Sequence, residues 1–270
     1  MPGKKKTQEV KVDQMKWESI ELAIVGISEL ILHAMPSKAK QELLYPSGPK
    51  SRSEKKLTMK HNPYLEFLEC PYRFTDDNNP PTRFGFKCES MGKAIQCAAL
   101  DIPTVAKTEI GRLSWVEGTL MPVWGIPEMM MTIVRQAGIA KTPDVRTRMV
   151  LRRWATKFKV SYLTPNLNQA SMVNLVAAAG VTNGIGDWRR QKGGNFGMFK
   201  IVPPDDKEYL EIVKAGGREA QDDAIKMENL RFFDAETEEL YRWFEDEREV
   251  RGRGDSSDGL VAKAGDKEAA

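Results

Sequence analysis

Apolar residues in this sequence follow the same order of patterns twice, and that order constrains the fold more than any other feature. Residues 20–32 have the alternation of a buried strand with a bulge at Gly26, and residues 89–100 carry apolar side chains at helical spacing. Two short strand candidates follow, at residues 112–117 and 119–124. The first round is therefore strand, helix, strand.

The second round begins at residues 146–163, which predict one long strand or two abutting strands. Residues 164–180 have the apolar stripe of an amphipathic helix, and Gly180 supplies a stop signal at its end. Either Asn166 or Asn168 can cap the start of this helix, because an asparagine side chain accepts hydrogen bonds from the first free amides. A strand and a helix thus follow the first round in the same order.

A last strand at residues 195–202 completes the order β-α-β-β-α-β. This order is typical of an α+β, ferredoxin-like or RRM-like sandwich, in which two helices cover one face of a sheet and leave the other face free. Such a core needs roughly a hundred residues. A chain of 270 residues must therefore add insertions and a C-terminal helical extension.

Composition divides the chain into four parts. Residues 1–17 predict a disordered basic arm, and residues 250–270 predict a disordered tail. Between them, residues 18–204 form the core, with a flexible insertion at about 46–62, and residues 205–249 form an acidic helical extension.

The net charge of +3 hides a strong asymmetry between these parts. The extension has 16 acidic and seven basic residues, a net charge of −9, whereas the last 21 residues have four of each and residues 1–204 carry +12. A cationic body favours a polyanionic partner, and the acidic extension could cover the basic surface or bridge to a neighbouring subunit. The expected docking residues are the apolar stripe Leu240, Trp243 and Phe244.

Residues 180–201, GVTNGIGDWRRQKGGNFGMFKI, place six glycines between the second helix and the last strand. Glycine allows close approach of a phosphate, cations neutralise phosphates, and aromatic rings stack with bases. The segment has neither the Walker pattern nor the position of a dinucleotide fingerprint. It predicts contact with single-stranded nucleic acid, and the alternative is a glycine-rich hairpin with Trp188 packed in the core. The predicted contact residues are Gly184, Gly186, Trp188, Arg189, Arg190, Lys192, Gly193, Gly194 and Phe196.

GIGDWRRQKGGNFGMF resembles the C-terminal glycine-rich loop, GxGxxR…GxGFGxF, of the RAMP superfamily, which includes backbone subunits and processing nucleases of CRISPR effector complexes. GFKCESMGKAIQCAAL, residues 85–100, is similar to that family's first-helix motif PGSSLKGALR, with Ser90, Gly92 and Lys93 in corresponding places. Residues 83–202 also resemble a group of tailed-phage proteins whose sequences end in GxGEWRPEKGGxFGxF. The resemblance covers about half of the chain. It implies an RRM-like fold, nucleic-acid contact that includes Lys93, and head-to-tail assembly.

A second basic cluster spans residues 141–160, with seven cations against the single acid Asp144. Regular spacing along a strand aims such cations to one side. The alternative is a salt-bridged strand whose partners come from the acidic extension. The predicted contact residues are Arg146, Arg148, Arg152, Arg153, Lys157 and Lys159.

Other chemistry has little support in the sequence. Three cysteines without a CxxC pair and only two histidines argue against a disulfide framework, a metal site or a cofactor. His33 ends an apolar strand and is expected to be buried, whereas His61 is expected to be an exposed loop residue without a partner. The RAMP processing nucleases' catalytic histidines have no counterpart here.

No apolar run reaches the ~20 residues of a membrane span, and no secretory signal begins the sequence. We therefore expect a cytoplasmic protein, which would lie in the host cytoplasm if a phage encodes it.

These observations predict a non-enzymatic protein that binds RNA or single-stranded DNA and assembles as a homo-oligomer or filament. Two other classes stay open. One is a phage structural or protein-interaction module whose basic face meets an acidic partner. The other is a metal-dependent nuclease that uses aspartate or glutamate.

Overall fold

The computed structural model describes residues 14–45, 48, 59–75, 80–103, 105–135 and 141–265, with side chains as far as residue 251. The described residues contain ten strands: β1 (Lys16–Gly26), β2 (Leu30–Leu32), β3 (Tyr72–Arg73), β4 (Phe84–Lys87), β5 (Ser114–Val116), β6 (Leu120–Trp124), β7 (Pro127–Arg135), β8 (Pro143–Leu151), β9 (Ala155–Thr164) and β10 (Phe199–Val202). They also contain eight α-helices: α1 (Ser37–Leu44), α2 (Pro63–Glu69), α3 (Cys88–Ala98), α4 (Lys107–Leu113), α5 (Gln169–Thr182), α6 (Lys207–Ala215), α7 (Arg218–Ala224) and α8 (Ala235–Gly265).

The strands form two antiparallel sheets, an architecture compatible with the predicted α+β class. The larger sheet has the order β10-β1-β9-β6-β4-β3, and β5 also pairs with β9. Its longest ladder joins β1 to β9, from Lys16 opposite Thr164 to Val25 opposite Ala155. The smaller sheet has the order β2-β8-β7.

Helices α3 and α5 pack on one face of the larger sheet, here called the inner face. Alternate residues of β1 and β9 point to this face, because successive side chains of a strand point to opposite sides. Burial of each large apolar side chain contributes about 1.5–3 kcal/mol. The resulting core includes Leu22, Ile24, Phe158 and Val160 from the strands, Met91 and Ile95 from α3, and Met172 and Val176 from α5. The opposite, outer face carries the remaining residues of these strands.

The chain crosses between the two sheets at Gly26 and Trp154. The predicted strand over residues 20–32 is in fact two strands, β1 and β2, in different sheets, and residues 146–163 likewise divide into β8 and β9. The Gly26 amide donates to the Trp154 carbonyl at 2.9 Å, and a Cβ at Gly26 would lie 2.1 Å from the Trp154 indole nitrogen. The fully buried indole therefore occupies the place where both strands must leave the sheet.

Two local predictions also need correction. Asn168 caps α5, its side chain accepting from the Ser171 amide at 2.8 Å, but the helix does not stop at Gly180. A Cβ there would lie 2.2 Å from the Phe199 carbonyl oxygen, so this glycine allows close helix-to-strand packing within the helix. The predicted strand over residues 112–117 begins as the end of α4, and only Ser114–Val116 form β5.

The acidic extension docks on its own chain. Tyr209 and Ile212 of α6 pack on the outer face, and Tyr209 contacts Trp124 edge-on with ring centroids 6.2 Å apart. Gln221 of α7 is buried, donates to the Val123 carbonyl at 2.8 Å and accepts from the Arg83 amide at 2.8 Å. Burial of such an amide is stable only because its donors and acceptors are satisfied.

The apolar stripe of Leu240, Trp243 and Phe244 does not dock as one unit. Leu240 packs against the core, but Trp243 is exposed. Phe244 lines a cavity beside α1 and α2.

The predicted outer boundaries also differ from the observed elements. Strand β1 begins at Lys16, inside the predicted arm, and α8 continues to Gly265, into the predicted tail. Residues 1–13, 46–47 and 49–58, which include most of the arm and of the insertion, lie outside the described residues.

Candidate nucleic-acid interface

The two segments that carry the family resemblance line one cleft of about 540 Å³. Helix α3 contributes Ser90 and Lys93, and the glycine-rich loop contributes Gly184, Gly186 and further side chains. The fold brings these segments together because α3 and α5 lie side by side on the inner face, and the loop follows α5 directly. Predicted contact residues on this cleft are Lys93, Gly184, Gly186, Arg189 and Lys192.

Four cations surround this cleft. Lys93 pairs with Glu89 at 2.5 Å one helical turn away, while Arg189 donates to the Gly186 carbonyl at 3.1 Å and to Gln191. Lys107 and Lys192 have no acidic partner among the described residues. Asp187 is the only carboxylate among the described lining residues, and it accepts from Arg148 at 2.9 Å. The cleft can therefore receive an anion.

Lys107, which the sequence analysis did not select, belongs to this site. It is the first residue of α4, far from both motifs in sequence, and it reaches the cleft because α4 packs against α3. The lysine has no local sequence signal of its own.

The glycines of the loop serve close packing within the protein. Gly186 has a φ of +84°, and a Cβ there would lie 2.6 Å from the Ile31 carbonyl oxygen. A Cβ at Gly194 would lie 1.7 Å from the Trp188 carbonyl oxygen. These glycines shape the cleft wall by letting the loop fold against β2 and on itself.

Trp188 and Phe196 pack against a small apolar cluster that is separate from the main core. Their ring centroids are 6.2 Å apart, and both rings pack against Ile31 and Val150. The Arg148 guanidinium lies 4.3 Å from the Trp188 ring centroid. Both side chains are partly buried in this packing and keep part of their surface exposed.

Arg148 is 5% exposed, which removes it from the residues that can contact a phosphate. It pairs with Asp187, donates to the Thr132 hydroxyl at 2.8 Å and stacks on Trp188. Arg148 therefore holds the glycine-rich loop against the smaller sheet.

The remaining cations of the basic strand do not share one side, because the chain changes sheets at residues 152–154. Five of these cations pair with an acid, which agrees with the salt-bridged alternative. The pairs are Arg146 with Asp144 at 3.5 Å, Arg152 with Glu128 at 2.7 Å, Arg153 with Glu211 at 3.2 Å, Lys157 with Glu21 at 2.9 Å and Lys159 with Glu117 at 3.1 Å. Only Glu211 comes from the acidic extension. The cluster is thus divided among separate surfaces.

Arg190 and Gly193 lie at the exposed tip of the loop. The Arg190 guanidinium contacts the Met198 sulfur at 4.0 Å, and Gly193 has a φ of +80° with open space around its Cβ position. Both residues are accessible, but neither lines the cleft.

A second cavity, of about 690 Å³, is lined by α1, α2 and the start of β8. There His61 lies between two carboxylates, Glu66 at 2.8 Å and Asp144 at 3.0 Å, contrary to the expected unpartnered loop histidine. The hydrogen bond to Glu66 raises the pKa of His61. Through these two contacts His61 links α2 to the start of β8.

His33 and Cys70 lie where the two cavities meet. His33, expected to be buried, is exposed. Burial raises the pKa of the Cys70 thiol to about 12, so this thiol is protonated at neutral pH.

Within the described ranges, no three or more His, Cys, Asp or Glu side chains gather as a metal site would require. The described helices also include none with the length and apolar character to span a membrane.

No protein-family model matches the sequence, and no curated protein matches it. The chain has a distant similarity to one in a solved structure described as "Cryo-EM structure of the Type III-B Cmr-beta bound to cognate target RNA". That alignment covers 70% of this chain and 60% of the other, with a TM-score of 0.32 and 8% sequence identity. Similarity at this level transfers neither fold nor function.

Proposed function

We propose that the protein binds single-stranded RNA or DNA, without catalysing a reaction on it, in the cleft between α3 and the glycine-rich loop. The observation that carries the proposal is the convergence of Lys93, Lys107, Arg189 and Lys192 on one cleft. Asp187, the carboxylate on this cleft, is already engaged by Arg148. A chain of phosphates fits such a cleft because each phosphate can replace a counterion at a lysine or arginine.

The proposed fold of the core is ferredoxin-like. Its support is the chain order β1, α3, β5 with β6, β9, α5, β10, in which β10, β1, β9 and β6 are neighbours in the larger sheet. This arrangement places the loop after α5 and the start of α3 at the same side of the sandwich. The cleft is then a consequence of the β-α-β-β-α-β order.

The test is a salt titration of oligonucleotide binding. Log affinity for a single strand should fall with log salt at a slope of about −0.7 per neutralised phosphate. The Lys107→Ala/Lys192→Ala double variant should weaken binding to single-stranded DNA and RNA and flatten this slope by about one unit. Fluorescence anisotropy with labelled 20-nucleotide strands measures both quantities.

A matched control is Arg153→Ala/Lys200→Ala. Both residues are exposed cations, but they pair with Glu211 and Glu208 of α6 at 3.2 and 2.9 Å. This variant should leave the slope nearly unchanged. Equal effects of the two double variants, or no binding by the wild-type protein, would overturn the proposal.

Two further predictions belong to the same function. Oligonucleotides should remain intact after incubation with and without Mg²⁺, and magnesium-dependent cleavage would instead support a nuclease. Head-to-tail assembly, which the family resemblance implies, should appear as masses above 30.5 kDa in analytical ultracentrifugation. Binding of an acidic protein in preference to nucleic acid would favour a protein-interaction module.

A further inference from the structure

The cleft between α3 and the glycine-rich loop has a closed, apolar floor. The floor consists of buried side chains from both sheets, from α3 and from the loop: Ile31, Leu32, Phe86, Ala94 and Ile185. Buried Asn183, at the end of α5, donates to the Ala94 carbonyl at 3.2 Å and so joins the two walls of the cleft. A strand can therefore enter the cleft from its rim but cannot pass through its floor.

The positive charge of the cleft does not continue into the second cavity, although His33 and Cys70 line both. His61 is held there between two carboxylates, Glu66 and Asp144. A chain of phosphates gains little beyond His33, because its attraction depends on a net positive potential. The described lining of the second cavity has as many acids as lysines and arginines, namely Glu42, Glu66, Glu69 and Asp144 against Lys38, Lys60, Arg146 and Arg248.

The cations of the cleft act on one small volume. Lys107, Arg189 and Lys192 have no acidic partner among the described residues. Lys93 can join them, because its exposed pair with Glu89 is weak. A sphere with the cleft's volume of about 540 Å³ is about 10 Å across, which is close to the ~8 Å over which charges act at physiological salt. All four cations therefore act on whatever group enters.

Such a concentration of positive charge matches the end of a strand better than its interior. A phosphodiester inside a strand carries one negative charge, whereas a terminal phosphate monoester carries about −1.5 to −2 at pH 7 and has three acceptor oxygens. Ammonium and guanidinium groups bind these oxygens through short, charge-assisted hydrogen bonds. An end also needs only one entrance to the cleft, whereas the interior of a strand must both enter and leave.

We propose that the cleft recognises the phosphorylated end of a single strand, with Lys107, Arg189 and Lys192 as the ligands of the terminal phosphate. The inference rests on the function proposed above and names the part of the strand that the cleft receives. The apolar floor suits the uncharged sugar and base of the same nucleotide, since pockets of this size combine apolar walls with a few polar groups that fix orientation.

The test compares strands that differ only at their ends, each with an internal fluorophore. The probes are a 20-nucleotide strand with a 5′-phosphate, the same strand with a 3′-phosphate, the same strand with two hydroxyl ends, and a 21-nucleotide strand with two hydroxyl ends. The last probe has as many phosphate groups as the phosphorylated strands, so it controls for the number of phosphates. Anisotropy should show that at least one phosphorylated strand binds at least about tenfold more tightly than the 21-nucleotide strand. A preference for one phosphorylated strand identifies the end, and an equal preference for both assigns the recognition to the monoester itself.

Two variants test whether the cleft is the origin of this preference. Lys107→Ala/Lys192→Ala should bind phosphorylated and hydroxyl-ended strands with nearly equal affinity. Arg153→Ala/Lys200→Ala should keep the wild-type preference, because these cations pair with acids of α6 outside the cleft. A preference that survives in Lys107→Ala/Lys192→Ala would overturn the inference, since the terminal phosphate would then bind elsewhere.

A circular single strand tests the same point without any end. The wild type should bind the circle no more tightly than a hydroxyl-ended linear strand of equal length. A circle that binds as tightly as the phosphorylated linear strand would overturn the inference.

The outcomes separate this inference from the function of the cleft. If the wild type binds phosphorylated and hydroxyl-ended strands equally, and Lys107→Ala/Lys192→Ala weakens both, the inference is overturned and the cleft function stands. If the wild type binds none of the strands, both are overturned.

Discussion

The glycine-rich loop and the basic strand at residues 141–160 are both rich in cations, but their electrostatic environments differ. In the strand, Arg152, Arg153, Lys157 and Lys159 each meet a glutamate. On the cleft formed by the loop, Lys107 and Lys192 meet no acid among the described residues. Cation density in the sequence therefore does not measure how many cations a polyanion can reach. What matters is which acids the fold brings beside them.

The largest expected effect tests whether the loop glycines are structural. Gly194→Val should destabilise the protein by more than about 3 kcal/mol, because its Cβ would lie 1.7 Å from the Trp188 carbonyl oxygen. Gly193→Ala is the control in the same loop. It meets only open space and should cost about 1–2 kcal/mol for its positive φ. Urea denaturation measures both changes, and similar values would contradict the packing account.

A smaller effect distinguishes a buried arginine from an exposed one in the basic strand. Arg148→Met should cost about 2–3 kcal/mol, because Asp187 loses its partner while Trp188 loses its stacked guanidinium. Arg153→Met removes an exposed pair and should cost less than about 1 kcal/mol. Denaturation midpoints of the two variants measure the difference. If Arg148→Met is as mild as Arg153→Met, the arginine does not hold the loop.

Removing two acids of α6 should make the cations beside them as available to a polyanion as the cations of the cleft. Glu208→Gln/Glu211→Gln frees Lys200 and Arg153 from their partners on α6. Nucleic-acid binding should then strengthen, and the salt slope should steepen by up to about one unit. The same anisotropy titration measures the change. A control with Glu238→Gln, which pairs with Arg242 within α8, should leave binding unchanged.

The smallest expected effect concerns the second cavity and pH. Because the hydrogen bond that His61 donates to Glu66 raises the pKa of His61 above its ordinary 6.5, protonation of His61 stabilises the folded state. This stabilisation is fully present below about pH 6.5 and is lost as the pH rises through the raised pKa. Thermal melts between pH 5.5 and 9 measure the loss, with pH values spanning about 6.5 on both sides.

His61→Gln should abolish this part of the pH dependence. His33→Gln is the control, because partial desolvation of its ring by the cavity walls, together with the nearby Arg148 charge, lowers the pKa of this surface histidine, and its titration affects stability only below about pH 6.5. The His33→Gln variant should still lose stability as the pH rises above about 6.5. An identical pH profile of wild type and His61→Gln would contradict the link between His61 and the two carboxylates.

Local patterns predicted much of the secondary structure. The alternation of Phe158, Val160 and Tyr162 places these residues on the inner face of β9, as expected from a period of two. Asn168 caps α5 because its side chain reaches the Ser171 amide three residues away. Strand alternation and helix capping depend on residues that are close in sequence, so they can be predicted from the sequence.

Other features depended on residues far apart. The division of residues 146–163 into two sheets follows from Trp154, which packs at Gly26 more than a hundred residues earlier. Gly180 looked like a helix stop, but Phe199 gives it a packing role inside the helix. Arg148 looked like a phosphate ligand, but Asp187 and Trp188 bury it.

The sequence by itself determined the order of the core elements β1, α3, β6, β9, α5 and β10 and the cation content of the two segments, because periodicity and charge are properties of consecutive residues. Only the tertiary structure decided that Lys107 joins Lys93 and Lys192 on one cleft. It also decided that Trp17 and Trp115 lie on the outer face of the larger sheet. Pairing register, helix packing and the partner of each charge are set by contacts between distant residues, and local sequence patterns contain no record of those contacts.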